Sequence, residues 1–171
     1  MPKKLYIAYG SNLNKKEMAF RCPSAVPAGV TYLEGYKLEC RTYLNIREEK
    51  GAVVKAGVWE IDEKDEKLLD HYEGYPYLYR KVVLPNQIII VDEHPECCTD
   101  DTPEAFEADA FIYIMNEDAG MPLEPSTESY FWRCVEGYYD FDLPLEPLVN
   151  SRAEAVTAEA ERKEKLSGEE K

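Results

Sequence analysis

Hydrophobic and polar positions change their period several times along this chain. Residues 4–9 (KLYIAY) form a short aromatic and branched run stopped by Gly10, the pattern of a largely buried strand. Asn14 followed three residues later by Glu17 has capping-box spacing, which predicts a short helix from about Lys15, ended by Arg21-Cys22-Pro23. Strand-like runs follow at 36–44 and 53–61, with the polar stretch 47–51 as the turn between them. Asp62 suits the cap of a helix over 63–73 whose apolar side includes Leu68, Leu69 and Tyr72, and Gly74 suits its stop. Residues 79–91 read as a strand interrupted at Pro85-Asn86, and 108–115 as another.

Ser126 predicts the cap of a helix reaching about Tyr139, with Tyr130, Phe131, Cys134, Val135 and Tyr138 at helical spacing. Beyond Ser151 apolar residues nearly vanish. Residues 151–171 carry six acids and five bases, so a domain over 1–150 is expected, followed by a charged helix or frayed tail. The chain has no internal repeat. Strands mostly precede the last helices, which predicts an α+β fold around a curved antiparallel sheet or small barrel, with short helices beside it.

Charge narrows the range of partners. The chain holds 34 acidic and 20 basic residues in 171, a net −14 that repels a phosphate backbone, so no nucleic-acid partner is expected. The connection 92–109 alone contains eight acids and no lysine or arginine, and reads as exposed rather than as a site. No apolar run approaches the roughly 20 residues of a membrane span, so no membrane partner is expected. The first five residues lack the apolar run of a secretory signal, and a cytoplasmic protein is expected. The five cysteines (Cys22, Cys40, Cys97, Cys98 and Cys134) are odd in number without framework spacing, which predicts reduced thiols. Two isolated histidines, His71 and His94, make no convincing metal site, so neither metal nor cofactor is expected.

Two stretches can carry chemistry. Tyr9-Gly10-Ser11-Asn12-Leu13 lies where a strand hands over to a helix, and Gly10 permits a close approach that a Cβ would block. Successive N–H groups in such a turn make a concave site for a carboxylate or a developing oxyanion. It lacks the ending of a phosphate loop and the frame of a nucleophile elbow. Taken alone, the stretch reads first as a strand-to-helix turn with capping residues. The second is Glu73, in the last turn of its helix, where the dipole disfavours ionisation. Its aromatic neighbours Tyr72, Tyr75, Tyr77 and Tyr79 add desolvation, and both effects raise its pKa toward the range useful for proton transfer. Read alone, Glu73 is one surface acid among 34. Trp59 and Trp132 read as core, His71 as a surface or capping residue, and Arg21 and Arg80 as partners in structural ion pairs.

In order and spacing, these pieces resemble the γ-glutamylcyclotransferase family, which includes AIG2-like members. The matching features are Tyr9-Gly10-Ser11-Asn12-Leu13 after a strand, Arg21-Cys22-Pro23 after a short helix, and Leu69-Asp70-His71-Tyr72-Glu73-Gly74. Tyr79-Arg80 and Pro125-Ser126-Thr127-Glu128-Ser129-Tyr130 complete the series, the last with one additional residue. The resemblance covers about residues 4–140. It implies a small mixed β-barrel with flanking helices and Glu73 as the catalytic carboxylate. Tyr9, Gly10, Ser11, Asn12 and Leu13 would form the substrate cradle, with Tyr130 at the pocket mouth or against substrate. The implied reaction converts a small γ-glutamyl amine or amino acid into 5-oxoproline and a free amine without a cofactor. The leaving group and the oligomeric state stay open. The alternative is a non-catalytic module of the same fold that binds a small carboxylate, which the presence of Glu73 disfavours.

Overall fold

The computed structural model describes residues 2–92 and 104–169. Its five strands are β1 (Lys4–Ala8), β2 (Val26–Arg41), β3 (Tyr43–Ile61), β4 (Tyr79–Asp92) and β5 (Glu104–Met115). They close into a barrel in the order β1-β3-β2-β4-β5, every neighbouring pair antiparallel except β1 with β5. Branched and aromatic side chains on both faces of its strands, such as Ile7, Ile46, Val58, Trp59, Ile61, Ile89 and Ile112, are all but shut off from solvent, Trp59 against Phe141. The expected α+β barrel is the observed architecture.

The helices are α1 (Lys15–Arg21), α2 (Glu63–Tyr72), α3 (Glu128–Asp140) and α4 (Glu146–Glu169). Asn14 caps α1, its side chain accepting from the backbone N–H groups of Lys16 and Glu17 at 3.1 Å. Asp62 does the same for α2 through Lys64 and Asp65, at 2.8 and 3.0 Å. On α2 only Leu69 of the expected apolar trio is buried, while Leu68 and Tyr72 stay about half exposed.

Several expectations shift. The turn between β2 and β3 is the single residue Thr42, at φ 65°, and not the stretch 47–51. Glu48 pairs with Tyr36 and Val53 with Glu34, so the polar residues between them form a bulge inside a continuous hairpin. Charges there mimic a loop, but this end of the ribbon is largely open to solvent on both faces, and Arg47 pairs with the buried Glu39 and with Glu49. Strand β5 starts at Glu104, so residues 104–109 are strand rather than loop, with Phe106 opposite Ile89. The rest of that acidic connection, with His94, Cys97 and Cys98, lies outside the described residues.

The cap of α3 is Thr127, whose hydroxyl accepts from the Tyr130 N–H at 3.3 Å; Ser126 is buried just before it. Trp132 is 60% exposed and not core, because α3 turns the opposite side, with Cys134, Val135 and Tyr138, toward the barrel. Helix α4 begins at Glu146 and runs through residue 150 without a break. Its buried positions, Leu148, Ser151 and Ala155, are mostly small, which is why the stretch carries so weak an apolar signal. A Lys37–Glu154 ion pair of 2.7 Å ties it to β2. No helix among the described residues is long and apolar enough to cross a membrane.

Candidate active site

Strand β1 delivers the chain into a single 3-10 turn, Ser11–Leu13, that leads to α1. Within it the Leu13 N–H donates to the Gly10 carbonyl at 3.0 Å and the Asn14 N–H to the Ser11 carbonyl at 3.1 Å. The Ser11 and Asn12 N–H groups stand ahead of those bonds, at the start of the turn. Trp59 pins the turn to the barrel by donating from Nε1 to the Asn12 carbonyl at 2.9 Å. Gly10 supplies the close approach expected of it: a Cβ there would meet Tyr130 Oη at 3.3 Å and Leu44 Cβ at 3.4 Å.

Helix α2 ends opposite this turn. Glu73 is its C-terminal cap, and Gly74 at φ 62° lets the chain reverse at once, with the Tyr75 N–H returning to the Asp70 carbonyl at 2.9 Å. Between the two lies a cavity of about 210 Å³. Its walls come from Tyr6 and Tyr9 of β1, Gly10, Ser11 and Asn12 of the turn, Tyr43 and Leu44 of β3, and Tyr72 and Glu73 of α2. Leu78 and Tyr79 at the entry to β4, Tyr113 of β5 and Tyr130 of α3 complete them. Glu73 is the one carboxylate in this lining, which contains no lysine, arginine or histidine.

The carboxylate is held by an amide. Asn12 Nδ2 donates to Glu73 Oε1 at 2.7 Å and also to Tyr6 Oη at 2.9 Å, while Arg21 Nη1 donates to Asn12 Oδ1. Burial among phenol rings pushes Glu73 up to about 7, against the opposing pull of the Arg21 charge and the Asn12 bond. Burial also lifts the hydroxyls of Tyr6, Tyr9, Tyr79, Tyr113 and Tyr130 above their ordinary value, so all five stay neutral. Most of these hydroxyls are already committed. Tyr9 donates to the Tyr113 carbonyl at 2.6 Å, Tyr79 to the Leu44 carbonyl at 2.8 Å and Tyr113 to Asp70 Oδ1 at 2.6 Å. Tyr130 Oη accepts from the Leu44 N–H at 3.1 Å. The result is a rigid aromatic cup around one carboxyl of near-neutral proton affinity.

Of the residues named from sequence, Tyr9, Gly10, Ser11, Asn12, Glu73 and Tyr130 meet in this cavity. Leu13 does not: its side chain is fully buried in the core and its N–H closes the turn, so the lining stops at Asn12. Tyr72 and Tyr79 flank Glu73 as expected, whereas Tyr75 and Tyr77 are 41% and 86% exposed. Sequence reasoning missed Tyr6, Tyr43, Leu44 and Tyr113, which reach the cavity only through strand pairing. Seven of the thirteen tyrosines line it, so the unusual tyrosine content was the available signal. Arg21 does pair with Glu17, at 3.5 Å, but its stronger contacts are with the site. No group of three or more metal-type side chains is found among the described residues.

The family model described as gamma-glutamyl cyclotransferase, AIG2-like, matches residues 6–134. The chain belongs to this family. A solved structure described as a gamma-glutamyl cyclotransferase is 25% identical, with 89% of this chain and 88% of that one covered and a TM-score of 0.64. Two others share the cyclotransferase fold. An uncharacterized Homo sapiens protein is 23% identical, covers 90% of this chain and 88% of its own, and has a TM-score of 0.57. YkqA from Bacillus subtilis is 14% identical over 92% of this chain and 56% of its own, with a TM-score of 0.64. No curated protein sequence matches the chain significantly. Family and fold support a γ-glutamyl cyclotransferase-like function.

Proposed function

We propose that this chain cyclises a γ-glutamyl amine or γ-glutamyl amino acid to 5-oxoproline and releases the free amine, with Glu73 as general acid and base. The observation that carries this is the lone carboxyl, pushed up to about 7, held by Asn12 beside the Ser11–Asn12 turn in the wall of an aromatic cavity. A substrate α-ammonium group has a pKa near 8, so its proton passes to Glu73 nearly isoenergetically. The freed nitrogen attacks the γ-carbonyl carbon and forms the ring C–N bond. The tetrahedral oxyanion then collapses, the bond to the leaving nitrogen breaks as Glu73 returns the proton to it, and the second proton, shed by the ring nitrogen, passes through Glu73 to the released amine, which departs as an ammonium.

The N–H groups of Ser11 and Asn12 suit the oxyanion, and one such donor contributes about 3 kcal/mol. The walls supply the orientation that folds the glutamyl chain back on itself. The net −14 opposes the encounter with a carboxylate-bearing substrate, but screening at about 8 Å leaves the local donors in control once it is inside. Unpaired, buried Cys22, Cys40 and Cys134 agree with a reducing, cytoplasmic setting.

The test is a panel of γ-glutamyl amines and amino acids assayed for 5-oxoproline. At least one member is turned over, and Glu73→Gln lowers its kcat by 10²-fold or more. Full turnover by Glu73→Gln refutes the mechanism. Binding without product across the panel favours the carboxylate-binding module instead.

A further inference from the structure

Arg21 lines no part of the cavity, yet its side chain is only 12% exposed and its guanidinium makes three contacts. It donates to Asn12 Oδ1, lies 3.4 Å from the ring centroid of Tyr72, and pairs with Glu17. The first two contacts lead to opposite walls of the site. A guanidinium offers donors and no acceptor. The oxygen of the Asn12 amide must therefore face Arg21, and its NH2 must face the other way, toward Glu73 Oε1 and Tyr6 Oη. A flipped amide would set its oxygen against the carboxylate.

With Oε1 engaged, Oε2 is the oxygen left for substrate, since no hydrogen bond reaches it among the described residues. Tyr72, beneath the same guanidinium, shares a hydrogen bond of 3.2 Å between its hydroxyl and Ser11 Oγ. One cation thus braces the carboxylate and the cradle together.

We propose that Arg21 is the positioning residue of this site, fixing the Asn12 amide so that Glu73 works through Oε2, and keeping Glu73 able to ionise inside the cavity. The other groups around Glu73 are phenols: Tyr6 and Tyr9 of β1, Tyr72 of α2, Tyr79 of β4, Tyr113 of β5 and Tyr130 of α3. Asp70 stands behind Tyr113, compensated by Lys81 at 2.7 Å, and Glu17 stands behind Arg21. Arg21 is the cation whose field lowers the proton affinity of Glu73. Only the kinetic part of the test rests on the cyclotransferase reading.

The experiment follows the Glu73 carboxyl by ¹³C NMR titration in the full chain, assigned by its loss in Glu73→Gln, for wild type, Arg21→Gln and Arg21→Lys. Arg21→Gln moves the midpoint upward by about one pH unit, a tenfold change in proton affinity, because the cation is gone. The acid limb of kcat/KM for 5-oxoproline release moves with it. Arg21→Lys keeps the charge and leaves the midpoint within about half a unit. It lowers kcat about tenfold with little change in KM, because an ammonium cannot present a planar fork and cover Tyr72 together.

A folded Arg21→Gln protein whose Glu73 titrates as in wild type overturns the proposal. If Arg21→Gln does not fold, an unchanged kcat in Arg21→Lys overturns it, as does a midpoint moved by about a full unit although the charge is kept. A shifted midpoint in a chain that turns over no γ-glutamyl compound sustains the role of Arg21 and sinks the cyclotransferase reading.

Discussion

The raised proton affinity of Glu73 makes folding stability depend on pH in a direction that can be worked out. In the unfolded chain this carboxyl has the ordinary value of 4.5; in the folded chain it stands at about 7. Between those values the folded state holds a proton that the unfolded state has released. The unfolded state binds fewer protons there, so stability falls as pH rises through that window. A gap of about 2.5 units at 1.36 kcal/mol each amounts to about 3 kcal/mol, absent below pH 4.5 and fully developed above pH 7. Glu73→Gln removes the titration but keeps an oxygen to accept from Asn12. Its stability relative to wild type therefore grows by about 3 kcal/mol between pH 4.5 and 8, or roughly 6–12 °C in Tm for a chain of this size. Urea unfolding of both proteins at a series of pH values measures this, and the comparison cancels the other carboxylates. Parallel curves would refute the reasoning, because Glu73 would then not be desolvated and would be no better a proton carrier than any surface acid.

Two further outcomes follow from the packing. Gly137 on α3 sits against the cradle: a Cβ there would fall 2.6 Å from the Asn14 nitrogen and 2.7 Å from Leu13 Cβ. Gly137→Ala gains about 1 kcal/mol of helix propensity but loses about 1–3 kcal/mol or more by overpacking, and pushes α3 away from the Ser11–Asn12 turn. Thermal unfolding should show Tm lowered by several degrees and kcat/KM lowered with it, and a raised Tm would contradict the described contact. Burial pushes the Cys22 and Cys134 thiols up to about 12 and raises Cys40 as well. Iodoacetamide at pH 8 should leave all three unmodified in the native chain and label them only after unfolding, as peptide mass mapping would show; early labelling of any of them contradicts the burial.

Local chemistry was legible where it was local. Strand β1, the cap at Asn14 and the helix stop at Gly74 leave signatures within a few residues, whereas Glu73 and the Gly10–Asn12 turn were linked only by the family resemblance. What stayed hidden depends on register. Tyr6 and Tyr113 enter the cavity because β1 and β5 pair with Tyr6 opposite Phe111, and no local pattern states that pairing. The Thr42 turn was masked by the louder run of charges at 47–51, tolerated because that part of the hairpin is largely exposed. Helix α4 was underread because Ser151 and Ala155 pack by being small. Arg21 read as half of a structural ion pair because its amide partner lies in a different element.

The parallel seam between β1 and β5 sets the order in which this molecule can come into being. Those strands stand at opposite ends of the barrel's sequence, and stacked rings of Tyr6 and Phe111, 5.4 Å apart, mark where they join. A nascent chain that has displayed Glu73, Asn12 and Arg21 still lacks the strand that walls them off from water. Tyr113 of β5 and then Tyr130 of α3 complete the walls around that carboxyl. Such distant pairing slows folding relative to local contacts. The surroundings proposed to tune Glu73 are therefore complete only once β5 and α3 are in place, and a chain cut before β5 would carry that residue without them.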